Sequence, residues 1–247
     1  QVIRILSLGA GLQSTTMLLM ALNGDIERPD CAIFADTQDE SVATYAHLDW
    51  LCEHATEKGF TIHRITVGKL SDTIPVGRDR SHKRFVPIPT FGDRGGMGRR
   101  QCTREFKVDP ITKKVRSLLG IAPRKRISGI VAESWQGISL DEAHRMKHNR
   151  EKWMRNVYPL IDLRMTRHDC ANWLTRNGFS IPPKSACIFC PYHDKATWRE
   201  MKLHRPDEWA RCVELDRRLN VRGEYLHRSC QPLDTIDLTT PEDHGQL

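Results

Sequence analysis

Two of the eight cysteines in this 247-residue chain form a C-x-x-C pair, Cys187 and Cys190, followed at once by Pro191. A tight turn of that spacing aims both sulfurs at one point, as metal sites require. A redox dithiol would need a thioredoxin-like βαβ setting, which the flanking residues lack. Cys102, among Arg99, Arg100 and Arg104, and Cys230, beside His227 and Arg228, have basic neighbours that favour thiolate. Cys31, Cys52, Cys170 and Cys212 fall in apolar strand or helix patterns and read as core fillers. Two metal readings stay open. One is zinc on Cys187, Cys190 and a neighbour such as His193. The other is an iron–sulfur cluster on Cys102, Cys187 and Cys190, with Cys230 as fourth ligand or one iron left open.

A second chemistry is written near the start of the chain, where the apolar run Val2–Leu8 meets the helix-like run Thr15–Leu22 through Gly9-Ala10-Gly11-Leu12-Gln13-Ser14. A strand that ends in a small-residue loop and opens a helix points free backbone N–H groups and the positive helix end at one spot, which suits phosphate. The loop lacks the Gly-Lys-Ser/Thr ending of a P-loop, and its glycines do not follow Gly-x-Gly-x-x-Gly. The net charge of +7 favours an anionic partner. Cations crowd the Gly-rich span from Arg78 to Lys107, a loop long enough to close over a phosphate backbone.

The elements that must position these residues follow from periodicity. Apolar runs at Val2–Leu8, Cys31–Ala35, Thr61–Val67 and Val131–Ile138 alternate with helical patterns at Thr15–Leu22, Ser41–Lys58 and Pro110–Leu119. Alternation of this kind predicts right-handed βαβ units on a parallel sheet covered on both faces. Ligands of such sheets bind at the carboxyl ends of the strands, where Gly9–Ser14, Asp36–Asp39 and Gly137–Glu142 converge. The expected fold class is therefore α/β, with a doubly wound parallel-sheet domain over residues 1–165. A helical, cysteine-bearing region over residues 166–247 follows, with helices at Arg167–Asn177, Lys195–Leu203 and Asp207–Leu219. The longest apolar run, Met17–Leu22, is too short to cross a bilayer, so no membrane partner and a cytoplasmic location are expected.

From about Ile5 to Leu233 the chain resembles the phosphoadenosine phosphosulfate reductase-like branch of the PP-loop ATP pyrophosphatases, also called adenine nucleotide α-hydrolases. The likeness is carried by the Ser7–Ser14 loop, by Phe34-Ala35-Asp36-Thr37, by Gln101-Cys102-Thr103-Arg104-Glu105-Phe106-Lys107-Val108-Asp109-Pro110, and by Gly137-Ile138-Ser139-Leu140-Asp141-Glu142-Ala143-His144-Arg145. Tyr158-Pro159-Leu160-Ile161-Asp162 and the later Cys187–Cys190 pair match the family's C-terminal layout. The resemblance implies that Ser7, Gly9, Ala10, Gly11, Gln13, Ser14 and Thr15 hold the pyrophosphate end of ATP, with Asp36 and Thr37 beside the nucleoside. By the same likeness Asp36, Asp141, Glu142 and Arg145 face the nucleotide or substrate as catalytic candidates, and a magnesium ion accompanies ATP.

Two departures shape the expected activity. The family's loop reads Ser-Gly-Gly-x-Asp-Ser, and here Gln13 stands in the acidic place, bringing donors for phosphate and no negative charge for magnesium. Reductases of this family also use a cysteine near the C-terminus, whereas the tail Thr239–Leu247 has none and Cys230 is the one late candidate. The reading is an ATP-dependent, iron–sulfur sulfur transferase that thiolates a nucleic-acid component. Its alternatives are a phosphosulfate reductase and a non-catalytic zinc-bearing nucleic-acid binding module. Its partners are ATP, RNA or DNA, and a sulfur donor, with an oligomer open.

Overall fold

The computed structural model describes residues 2–75, 86–92 and 95–239. Arg78, Arg80, Lys83, Arg84 and Arg94 of the cationic loop, and the tail from residue 240, lie outside them. In chain order the elements are β1 (Ile3–Leu8), α1 (Leu12–Asn23), β2 (Cys31–Asp36), α2 (Val42–Glu57), β3 (Ile62–Thr66), β4 (Phe91–Gly92), a π-helical turn (Thr103–Val108) and α3 (Asp109–Leu118). They continue with β5 (Ala132–Gln136), β6 (Met154–Val157), α4 (Pro159–Asp162), α5 (Arg167–Arg176), α6 (Lys195–His204), α7 (Pro206–Asn220) and β7 (Glu224–Tyr225).

Contacts divide the chain into two compact units. The first holds residues 1–36, 42–67 and 106–185, so the helix α5 belongs with the sheet, where it packs on α1. The second holds residues 37–41, 68–105 and 186–247.

The first unit is a five-stranded, all-parallel sheet in the order β3-β2-β1-β5-β6. Strand alternation builds a core on each face. Leu6, Leu8, Ala32 and Phe34 join Leu18, Leu48, Leu51 and Leu174 on one side, while Ile5, Ile33 and Ala35 join Ile111, Val115 and Trp153 on the other. The six residues of β2 are all buried, because both of that strand's faces are covered. The fold is thus α/β, doubly wound on a parallel sheet. From β1 the chain runs outward to β2 and β3 on one side, and β5 and β6 lie on the other, so the strand order reverses between β1 and β5. A crevice opens at that reversal, beyond the strands' carboxyl ends.

In the second unit α6 and α7 pack around Trp198, Met201, Cys212 and Leu219, all fully buried. The carboxylate of Asp216 on α7 accepts the backbone N–H groups of Leu226 and Leu233, each at 2.8 Å, which fastens the segment after β7 to that helix. A two-stranded antiparallel ribbon pairs β4 with β7.

Candidate functional site

The turn from β1 into α1 places its left-handed residue at an alanine, with neither Gly9 nor Gly11 at positive φ. Ala10 takes the left-handed conformation (φ +55°), while Gly11, the N-cap, is extended (φ −103°, ψ −179°). The methyl of Ala10 is fully buried in the core and lies off the crevice. Ser14 locks the loop from within: its hydroxyl accepts from Gly9 N–H at 3.1 Å and donates to the Gly11 carbonyl at 3.2 Å. The hydroxyl of Ser185 donates to the Gly9 carbonyl. α1 begins with no acidic residue in its first turn, so its positive end is not neutralised from within.

Gly137, just past β5, is where a side chain is least tolerable. A Cβ there would lie 2.9 Å from the backbone nitrogen of Ser14. The end of β5 can approach the first turn of α1 this closely only because residue 137 has no side chain.

The crevice that results has a volume of about 720 Å³. Ser7, Gly9, Gly11, Gln13 and Ser14 line one side, and the cations Lys107, Arg145, Arg167 and Lys184 line it from other segments. Glu142 is the one acidic residue along it among the described residues.

Gln13, 8% exposed, holds the centre of a polar chain. Its amide nitrogen donates to Glu142 at 3.0 Å and faces the Ser139 hydroxyl at 3.4 Å, while its carbonyl oxygen accepts from the Arg167 guanidinium at 3.1 Å. Glu142 also accepts from Arg145 at 2.7 Å. The order guanidinium, carboxylate, amide, guanidinium uses both ends of the amide. A carboxylate at residue 13 could satisfy Arg167 only by facing Glu142 with like charge.

Not every residue expected at the nucleotide lies along this crevice. The carboxylate of Asp36 accepts from the Tyr45 hydroxyl at 2.8 Å and from Arg64 at 2.9 Å and 2.8 Å, tying β2, α2 and β3 together. Thr15 is buried with its hydroxyl 3.0 Å from His47 Nε2. Asp141 accepts from the Arg167 backbone at 3.0 Å. The Ser139 hydroxyl, together with that backbone bond, holds the Asp141 carboxyl below its ordinary range. Sequence reasoning missed Arg167, Lys184 and Ser185; each arrives from far along the chain, with no local motif to announce it.

The cysteines expected at a metal are in the second unit. The Cys187 thiol lies 3.1 Å from the Thr37 hydroxyl and 3.9 Å from Glu40. The pair sits on a turn in which Cys190 N–H bonds the Cys187 carbonyl at 3.0 Å. His193 Nε2 lies 3.1 Å from the backbone carbonyls of both Cys187 and Ile188, so it carries its proton there and clamps the turn. The Cys230 thiol donates to the Gly92 carbonyl at 3.2 Å, and Cys102 stands just before the π-helical turn with its N–H on the Pro87 carbonyl. Among the described residues no group of three or more His, Cys, Asp or Glu is arranged to hold a metal ion. The donors are right in kind for an iron–sulfur cluster or for zinc. Cys31 and Cys170 are core residues whose thiols burial pushes up to about 11.

Fold and crevice together define a class: an α/β protein with an electropositive, anion-suited crevice at the switch point of a parallel sheet. No family model matches the chain, and no curated protein matches it. Among solved structures it is similar to the U34-tRNA thiolase NcsA from Methanococcus maripaludis with its 4Fe-4S cluster, at 13% identity and a TM-score of 0.45, over 87% of this chain and 72% of that one. So distant a likeness fixes neither a family nor an activity. No helix among the described residues is long and apolar enough to cross a membrane.

Proposed function

We propose that the crevice binds the polyphosphate of ATP and that the protein uses it to activate a carbonyl on a nucleic-acid base for replacement of oxygen by sulfur. The observation that carries this reading is the meeting of an uncapped helix N-terminus with Lys107, Arg145, Arg167 and Lys184 around one 720 Å³ space.

The base oxygen attacks the α-phosphorus, the bond from that phosphorus to the bridging oxygen breaks, and pyrophosphate leaves. The loop at Gly9–Ser14 receives that leaving group through backbone donors, and Arg145 and Arg167 oppose the charge that develops on it. A magnesium ion, when bound with ATP, would supply charge neutralisation on the phosphates; Glu142, the one carboxylate along the crevice among the described residues, is engaged by Gln13 and Arg145. Sulfur comes from a persulfide: its terminal sulfur adds to the activated carbon and AMP departs with the oxygen. A thiolate then attacks the inner sulfur of that persulfide, which frees the thiocarbonyl and leaves a disulfide for an external dithiol to reduce.

Titration calorimetry with ATP, followed by assay of AMP and pyrophosphate in the presence of RNA or DNA, tests the reading. Heat on binding and release of both products dependent on nucleic acid support it. Folded protein that takes up no adenine nucleotide ends it.

A further inference from the structure

A second cavity of about 540 Å³ lies beside the edge strand β6 in the first unit, and it is built from the segment that continues the crevice wall. Arg145 lines the crevice and the next residue, Met146, lines this cavity. Between residues 145 and 155 the chain places Arg145, Lys147, His148, Arg150, Lys152 and Arg155 against a single acid, Glu151. That acid is engaged, since its carboxylate accepts the Trp153 indole N–H at 2.6 Å. Arg155 pairs with Glu133. The exposed side chains of Lys147, Arg150 and Lys152 have no carboxylate partner among the described residues.

This wall is held in place. The Tyr158 hydroxyl donates to the Lys147 carbonyl at 2.6 Å and accepts the Lys147 N–H at 2.9 Å. Asn156 adds a bond to the same carbonyl at 2.8 Å and accepts from Asn149 at 2.8 Å. The cations therefore stand on a pinned backbone, with less entropy to lose on meeting an anion. Ile130 and Met146, each 43% exposed, supply apolar surface beside them.

We propose that this cavity receives a nucleotide flanking the one modified, so that residues 145–155 form a track for single-stranded nucleic acid leading to the crevice. The inference rests on the function proposed above. A free phosphate would need the cations alone. Cations on a pinned backbone beside apolar surface, on a segment that runs from the crevice at Arg145 into this cavity at Met146, match a chain that alternates phosphate and base. A space of 540 Å³ takes a base only when it is unstacked, which selects single strands or loops over duplex.

Fluorescence anisotropy with a labelled ten-nucleotide single strand tests the track, using Lys147→Ala/Lys152→Ala, neither residue being part of the nucleotide crevice. The double variant is expected to bind the strand at least tenfold more weakly. Its slope of log affinity against log salt should be shallower by about 1.4, the loss of two phosphate contacts. Its ATP affinity should stay within twofold of the parent, which also reports that it is folded. Strand binding within twofold of the parent overturns the track, as does equal competition by polyglutamate, the result expected of a surface for acidic protein. Absence of ATP binding in the parent strikes the proposed function and leaves the strand measurement to stand on its own.

Discussion

Gln13 is the residue on which the chemistry of the crevice turns, because its neutral amide joins a carboxylate to a guanidinium. Gln13→Glu puts two carboxylates face to face at hydrogen-bond distance from one another's partners. The expected outcome is a loss of ATP affinity of about tenfold, near 1.4 kcal/mol. The mechanism fixes the pH signature as well. Like charge raises the carboxyl pKa of the pair above the ordinary value of about 4.3, so one proton restores the amide's pattern and the loss shrinks as pH falls. Calorimetry on variant and parent from pH 8 to 5 reads this, and a deficit that does not change with pH would contradict the pairing. Gly137→Ala tests the same corner sterically, since its Cβ meets backbone rather than a yielding side-chain tip. Unfolding should cost about 1–3 kcal/mol less in the variant. An unchanged denaturation midpoint would show that β5 does not press on α1 as described. Gln13 was legible as the amide of the small-residue loop; its partners were not, because Ser139, Glu142 and Arg167 are more than a hundred residues away.

At the scale of elements, the strongly periodic segments were readable: β1, β2, β3, β5 and helices α1, α2, α3, α5, α6 and α7 stand within a few residues of the sequence expectation. β6 escaped because Met154-Arg155-Asn156-Val157 alternates too briefly and too polarly to separate from loop, and only pairing with β5 makes it a strand. The π-helical turn after Cys102 has no sequence signal in hydropathy, since it differs from an α-helix by a single inserted residue. The boundary expected near residue 165 reflects a change in composition, while contacts keep Arg167–Arg176 with the sheet through the packing of α5 on α1. The joint between α1 and α2 carries its own prediction. His47 on α2 faces the Thr15 hydroxyl, and burial lowers its pKa below the ordinary 6.5. A histidine kept neutral by folding contributes stability that is present above its unfolded pKa and lost as pH falls through its folded one. Unfolding free energy should therefore decline below about pH 6.5, and His47→Gln, which keeps a donor and an acceptor, should reduce that decline by up to about 1.4 kcal/mol per pH unit. Denaturant titrations from pH 7.5 to 5 measure it; identical slopes in variant and parent would remove His47 from the account.

For the whole molecule the decisive quantity is the excess of cations, a net charge of +7, and where it is gathered. Charge alone predicts loose association with any polyanion, whereas a crevice with Arg145 and Arg167 fixed by Glu142 and Gln13 predicts preference for one shape of anion. Pyrophosphate is the smallest probe of that shape. Present at about a hundredfold its dissociation constant it stabilises the folded state by about 2.7 kcal/mol. For a chain of this size that corresponds to a rise in melting temperature of about 5–11 °C. Sulfate at equal ionic strength should give a smaller rise, because a single tetrahedron spans only part of the crevice. Arg167→Ala takes away both a cation and the partner that orients Gln13, so the pyrophosphate shift should fall by more than half while the sulfate shift changes little. Equal shifts from the two anions in the parent protein would mean that the positive charge acts diffusely, and that the turn from β1 to α1 joins two elements without binding anything.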